Sequence, residues 1–234
     1  MSGAATLLLI TAWSGSSAAR SGSWLSAGLL ALYAVPFAFS YTRLSAGAGA
    51  LILFGAVQIT MLAAAISTGE RPRAAQWLGL GVAVAGLTVL VFPGLTAPSP
   101  TGAALMALAG VAWGGYSWRG RRGANPLAAT TMNFVRATPL VLGASVASLP
   151  HIRLDVRGAM FAILSGALAS GLGYVAWYAA VRRLSGMQAA VVQLSVPVLA
   201  AAGGVAFLAE AISLRLVASA VLVLGGIALA VVRR

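Results

Sequence analysis

Long apolar stretches alternate with short polar breaks along the whole chain. Runs near residues 24 to 41, 45 to 68, 75 to 93, 101 to 118, 126 to 149, 158 to 181, 188 to 209 and 214 to 232 each approach the about 20 helical residues needed to cross a hydrocarbon core of roughly 30 Å. None alternates with the period of two that marks a half-buried strand. Because lipid offers no partner for free peptide groups, continuous apolar runs predict helices. A ninth run, Gly3 to Trp13, is too short to span. Ser17-Ala18-Ala19 behind it resembles a signal-peptidase site, although no basic segment precedes the run.

Composition narrows the class further. Of 234 residues, 60% are hydrophobic and 8% charged, and the mean hydropathy is +0.96, so an integral membrane protein is expected. The net charge of +12 comes from fifteen Arg and no Lys. In a soluble chain that balance would suggest nucleic acid. Here the Arg residues fall between apolar runs and read as topology signals and headgroup contacts. Absence of Cys removes disulfides, thiolate ligands and thiol nucleophiles. The single His, His151, stands beside Arg153 and Asp155. A metal cluster, a His-based triad and an acid dyad therefore all lack parts, and no catalytic residue, cofactor or metal is expected.

An internal repeat organises the pattern. Moving the second half back by 140 positions lays Arg183-Leu184-Ser185 on Arg43-Leu44-Ser45, Glu210 on Glu70 and Gly226 on Gly86. Two of only three carboxylates thus coincide without a gap, which makes Glu70 and Glu210 markers of the repeat. The implied segments are a first, incomplete repeat over 1–93, a linker over 94–100 and a second repeat over 101–234. At this offset the run from Gly3 to Trp13 becomes the tail of a helix. The expected architecture is all-α: a polytopic membrane bundle of five plus five inverted helices, with the first helix and most of the second missing. An odd number of helices per repeat inverts the second copy relative to the first. Loops on one side carry ten Arg and those on the other carry four, which puts the Glu70-Arg71-Pro72-Arg73 loop and the C-terminus in the cytoplasm.

Arg43-Leu44-Ser45-Ala46 before a long run, Gly69-Glu70-Arg71-Pro72 with Gln76-Trp77-Leu78-Gly79 after it, and Gly171-Leu172-Gly173-Tyr174 with Trp177-Tyr178-Ala179-Ala180 resemble the EamA-like family of the drug/metabolite transporter superfamily. The resemblance runs from about Trp24 to Val232. It implies inverted five-helix repeats and export or exchange of small metabolites.

Polar and broken positions at depth are the candidates for a substrate path. Arg136 lies ten residues into its run, about 15 Å at 1.5 Å per residue. A mid-membrane Arg costs roughly 2.5 to 3.5 kcal/mol, so it should face a cavity or a partner. It reads either as an anion contact, with Asn133 one turn earlier, or as a structural group bonded to free carbonyls. Pro197 interrupts its run and should free the carbonyl of Gln193, whose own amide is a further candidate. Pro36 and Pro139 interrupt other runs. Gln58 and Thr60 could line the path or bond between helices. Gly166, Ser170, Gly173 and Trp177 form a helical stripe best read as close packing, with Trp177 and Tyr33 as candidate cavity walls.

The function expected from these residues is a transporter moving small metabolites or drug-like molecules across the cytoplasmic membrane by alternating access, as export or exchange. A non-transporting bundle, either fragment or assembly partner, is the alternative, and a membrane enzyme is disfavoured. The partners expected are a small-molecule substrate and the lipid bilayer, without nucleic acid, and a homodimer stays open. With Glu70, Asp155 and Glu210 all at helix ends or in loops, any proton coupling would have to work without a buried carboxylate.

Overall fold

The structure is a computed structural model that describes residues 1–15, 21–92, 99–121, 125–149, 155–208 and 213–231. Among them every regular element is helical: α1 (Ser2–Trp13), α2 (Trp24–Ser40), α3 (Ala46–Ser67), α4 (Ala74–Val91), α5 (Pro100–Gly120), α6 (Pro126–Ala147), α7 (Val156–Leu164), a π-helical segment (Ser165–Leu172), α8 (Gly173–Val181), α9 (Gly186–Val192), α10 (Ser195–Leu208) and α11 (Leu214–Val231). Three continuous stretches among the described residues, Ala48–Ser67, Val156–Val181 and Leu214–Val231, are long and apolar enough to cross a membrane. The other apolar runs fall short for local reasons. Helix α6 has 22 residues but carries Asn133 and Arg136, and the run from Gly186 is cut at Gln193.

Local chemistry sets the helix ends. Ser45 and Ser185, 140 residues apart, are both N-caps whose side chains accept from the backbone three residues on, at Ala48 and Gln188. Helix α3 ends where Gly69, at φ +88°, adopts the left-handed conformation that costs glycine nothing. The Gly69 N–H then donates to Ile66 O and the Glu70 N–H to Ala65 O, the double closure of a Schellman turn. That turn fixes the position of the Glu70 backbone.

The chain divides into two compact units. The first comprises Met1–Val35 and Gly115–Arg183, so it draws on both halves of the sequence. In it α1 packs on the π segment and on α6. The Thr11 and Thr131 hydroxyl oxygens lie 2.7 Å apart, so one donates to the other while the second donates to a carbonyl of its own helix, which lets polar groups lie between buried helices. Tyr116, Phe134, Tyr174 and Tyr178 form a cluster of tilted and edge-on rings with centroids 4.9 to 6.5 Å apart.

The π segment changes which small residues meet α1. A Cβ on Gly166 would collide with the Ser2 hydroxyl, and one on Gly171 would lie 2.9 Å from Thr6. Gly173, expected in the packing stripe, meets only the carbonyl of Leu168 in its own chain stretch. The widened turn, with bonds closing over five residues instead of four, lengthens the repeat of the face and substitutes Gly171 for Gly173.

The second unit comprises Pro36–Gly114 and Leu184–Arg234. Its core gathers Phe54, Ala83, Leu87, Met187, Val191, Leu194, Val198, Val223 and Ala230. Helices α4 and α11 make the most extensive contact in this unit, and their bounds are related by 140 residues at both ends. The contacts are related in the same way. A Cβ on Gly226 would lie 2.6 Å from Ala83 N, while one on Gly86 would lie 2.9 Å from Val223 N. Adding 140 to Gly86 gives Gly226, and adding it to Ala83 gives Val223, so each contact is the image of the other. Contacts that run from Gly79 with Ala230 to Gly86 with Leu222 make the pair antiparallel, as copies in an inverted repeat must be.

Candidate substrate-path residues

The break between α9 and α10 is built by a short shift in hydrogen bonding. Leu194 N donates to Val191 O at 3.0 Å instead of to Ala190 O, and Val196 N donates to Gln193 O at 3.1 Å. The Gln193 carbonyl expected to be free is therefore paired. Pro197 occupies the third position of α10, in the first turn, where a missing N–H costs a helix nothing. The carbonyl released is that of Ala190, one turn upstream. Gln58 of α3 takes it through Nε2 at 2.6 Å.

The Gln193 side chain, buried at 3% exposure, lies between α3 and α5. Its Nε2 donates to Met61 Sδ at 2.8 Å, and its Oε1 accepts from the Trp113 indole N–H. Gln58 and Gln193 thus join one polar seam at the break. Thr60 takes another part: its hydroxyl donates to Ala56 O of its own helix at 2.8 Å, and its Cβ closes against Gly114. Gln58 Oε1 is buried and has no hydrogen-bond partner among the described residues. Trp113 and Met61 were not legible as members of the seam. An indole near the end of an apolar run reads as an interfacial anchor, and a Met as core.

In the first unit a cavity of about 260 Å³ is bounded by α1, α2, α6 and the π segment with α8. Tyr33, Phe134, Tyr174, Thr138 and Ser170 are among its walls. Tyr33 was expected there. Among the described residues Trp177 does not line it and Tyr174 supplies the aromatic wall instead, while the half-buried Trp177 indole N–H has no hydrogen-bond partner among them. A smaller cavity of about 90 Å³ holds Asn133, whose Oδ1 accepts from Ser23 N at 2.9 Å. Arg136 turns toward the segment before α2. Its Nη1 donates to Ser21 O at 2.8 Å, and its guanidinium lies 5.9 Å from the centre of the Trp24 ring. Of the two readings of Arg136, the geometry has the group bonded to a carbonyl, consistent with the tilt of helical side chains toward the N-terminus.

Glu70 lies in the second unit, and both its oxygens accept from Gly186 N, at 3.1 and 2.9 Å. The helix start that it meets is that of α9, not that of the following helix. A carboxylate is favourable there because the first N–H groups of a helix lack partners. Glu210 lies outside the described residues.

Three comparisons place this architecture among known proteins. Residues 100–232 match the model of the EamA-like transporter family. The chain belongs to that family. It is 49% identical over 208 residues to Uncharacterized protein PA1977 of Pseudomonas aeruginosa, an alignment that takes in 89% of this chain and 72% of the relative. A solved crystal structure with 21% identity superposes with a TM-score of 0.81 over 98% of this chain and 84% of the other, which shows the fold. As an EamA-like protein the chain is a membrane transporter of the drug/metabolite transporter superfamily. The residues gathered at the helix break and in the two cavities are amides, hydroxyls, aromatic rings and Arg. At the break and in the larger cavity the amides, hydroxyls and aromatic rings suit binding through neutral hydrogen bonds and stacking, whereas the smaller cavity adds the charge of Arg119.

Proposed function

We propose that this EamA-like protein moves small metabolites or drug-like molecules across the cytoplasmic membrane by alternating access, as export or exchange, with the C-terminus in the cytoplasm. The observation that carries the reading is the discontinuous helix at Gln193, held by Trp113 and Met61, since broken membrane helices are where transporters of this general plan build binding sites. The orphan acceptor Gln58 Oε1 beside the break favours a substrate with an N–H or O–H donor. The Arg asymmetry between the two sets of loops supports the orientation.

Proteoliposomes preloaded with a panel of amino acids, amines and aromatic metabolites test this by counterflow. At least one compound should exchange, and Gln193→Leu should reduce that exchange about tenfold or more, through the loss of a hydrogen-bonding site group. No exchange of any compound by folded protein would favour the non-transporting bundle. Accessibility labelling of single Cys variants at Arg73 and Ala74 tests the orientation. Labelling from the outside of intact cells would reverse it.

A further inference from the structure

The 90 Å³ cavity of the first unit has a chemistry that the transport reading does not use. It opens where α5 ends and α2 begins, and Gly22, Ser23, Ser26, Arg119, Asn133 and Tyr178 contribute to its lining. Arg119 donates from Nε to Ser26 Oγ at 3.3 Å, and Ser23 Oγ donates to the same oxygen at 3.0 Å. With two donors aimed at it, Ser26 Oγ is saturated as an acceptor and keeps its own hydrogen to donate. The two Nη nitrogens of Arg119 have no partner among the described residues. Asn133 Oδ1, an acceptor in the same lining, is already occupied by Ser23 N.

The surroundings reinforce the sign. Nη1 of Arg136 lies 3.1 Å from where a Cβ on Gly22 would be, so a second guanidinium borders the same turn. No lining residue is a carboxylate. Other described Arg side chains nearby are engaged: Arg121 stacks on Trp118 at 4.6 Å, and Arg136 is bonded to Ser21 O. Gly22, at φ +72°, gives the turn a conformation that leaves its backbone close to Asn133 and Arg136. The space, about 90 Å³, accommodates a small tetrahedral anion.

We infer that this pocket binds a phosphate group, with Arg119 as its charged anchor and Ser26 as a hydroxyl donor. The group can come from two sources, an anionic phospholipid headgroup at the membrane edge or free inorganic phosphate. Arginine suits either because its planar fork meets two oxygens at once.

Binding is measured on the full chain in nanodiscs, by native mass spectrometry and by the thermal unfolding midpoint, and requires no transport substrate. One arm titrates inorganic phosphate into phosphatidylcholine discs, and the other replaces part of the phosphatidylcholine with phosphatidylglycerol in phosphate-free buffer. Arg119→Gln should weaken the response about tenfold, as loss of a charge-assisted hydrogen bond does, and Ser26→Ala should weaken it less. Arg121→Gln, which removes the same charge a short distance away, should leave it intact. A response to phosphate alone identifies the free ion, and a response to phosphatidylglycerol alone identifies the headgroup. No response in either arm, or equal responses of Arg119→Gln and Arg121→Gln, overturns the assignment. If Arg119→Gln folds poorly, an Ser26→Ala protein that responds as the unaltered chain does also overturns it.

Discussion

The α4 and α11 seam and the α1 contact with the π segment both rest on glycine, yet they use it differently. In the seam, Gly79 and Gly226 each bring a backbone carbonyl against the other helix, and a Cβ on either would lie 2.5 Å from the carbonyl oxygen of its partner. Both helices keep the ordinary α repeat, so the contact is reciprocal and extends along their length. In the first unit, Gly166 and Gly171 meet α1 only because the helix widens there. Aromatic rings and hydroxyls line the remaining space, which among the described residues includes the cavities of about 90 and 260 Å³. In the symmetric seam each helix offers the other the same surface, and small residues let the backbones approach closely. Where two unlike helices meet, volume is left over, and there the chain has room for ligands.

The sharpest way to break this comparison is a side chain placed in the seam. Gly226→Leu should destabilise the protein by roughly 2 to 3 kcal/mol, because the new carbons meet backbone atoms of Gly79 and Ala83 that cannot yield. Reversible unfolding in mixed micelles reads the loss. Second in size is Gln193→Leu, which leaves the Trp113 N–H without its acceptor. A cost of about 1 to 3 kcal/mol is expected, together with a shift of tryptophan emission that is absent in a Trp113→Phe background. Glu70→Ala should cost about 1 kcal/mol, in the range of a lost helix cap. Hydrogen exchange should accelerate at Gly186 and the amides after it, and Glu70→Gln, which keeps an acceptor, should restore much of the protection. The smallest effect belongs to Gly143→Leu in the first unit, where nothing lies within 4 Å of the added Cβ. Its unfolding free energy should stay within about 0.5 kcal/mol of the parent, and a larger loss would mean that this face is packed.

Much of the repeat is visible in one dimension because its marks recur at one constant offset, two of them the rare carboxylates. Carboxylates, the Ser caps and the seam glycines stand out against an apolar background, and the spacing of 140 is the same for Ser45 with Ser185 as for Gly86 with Gly226. Site geometry was less legible. Pro197 reads as the interruption of its run, whereas the helix breaks one turn earlier, at Gln193, and the rearranged bonds release the Ala190 carbonyl and pair that of Gln193. Trp177 was expected as a wall and Tyr174 took that place, because the π segment alters the register of every side chain after Ser165. Periodicity arguments assume a constant number of residues per turn, and a widened turn leaves no trace in composition.

The sequence alone determined the class, the helical architecture and the repeat. Transfer into lipid is governed by summed hydropathy and by the need to pair every backbone group within its own segment, and both are properties of local chain composition. Tertiary structure alone decided which side chains meet: Glu70 at the start of α9, Gln193 between Met61 and Trp113, Arg136 on the Ser21 carbonyl. These pairings join residues 80 to 132 positions apart. Over such distances along the chain, no local rule of period or propensity specifies a partner, and only the packing of helix on helix does.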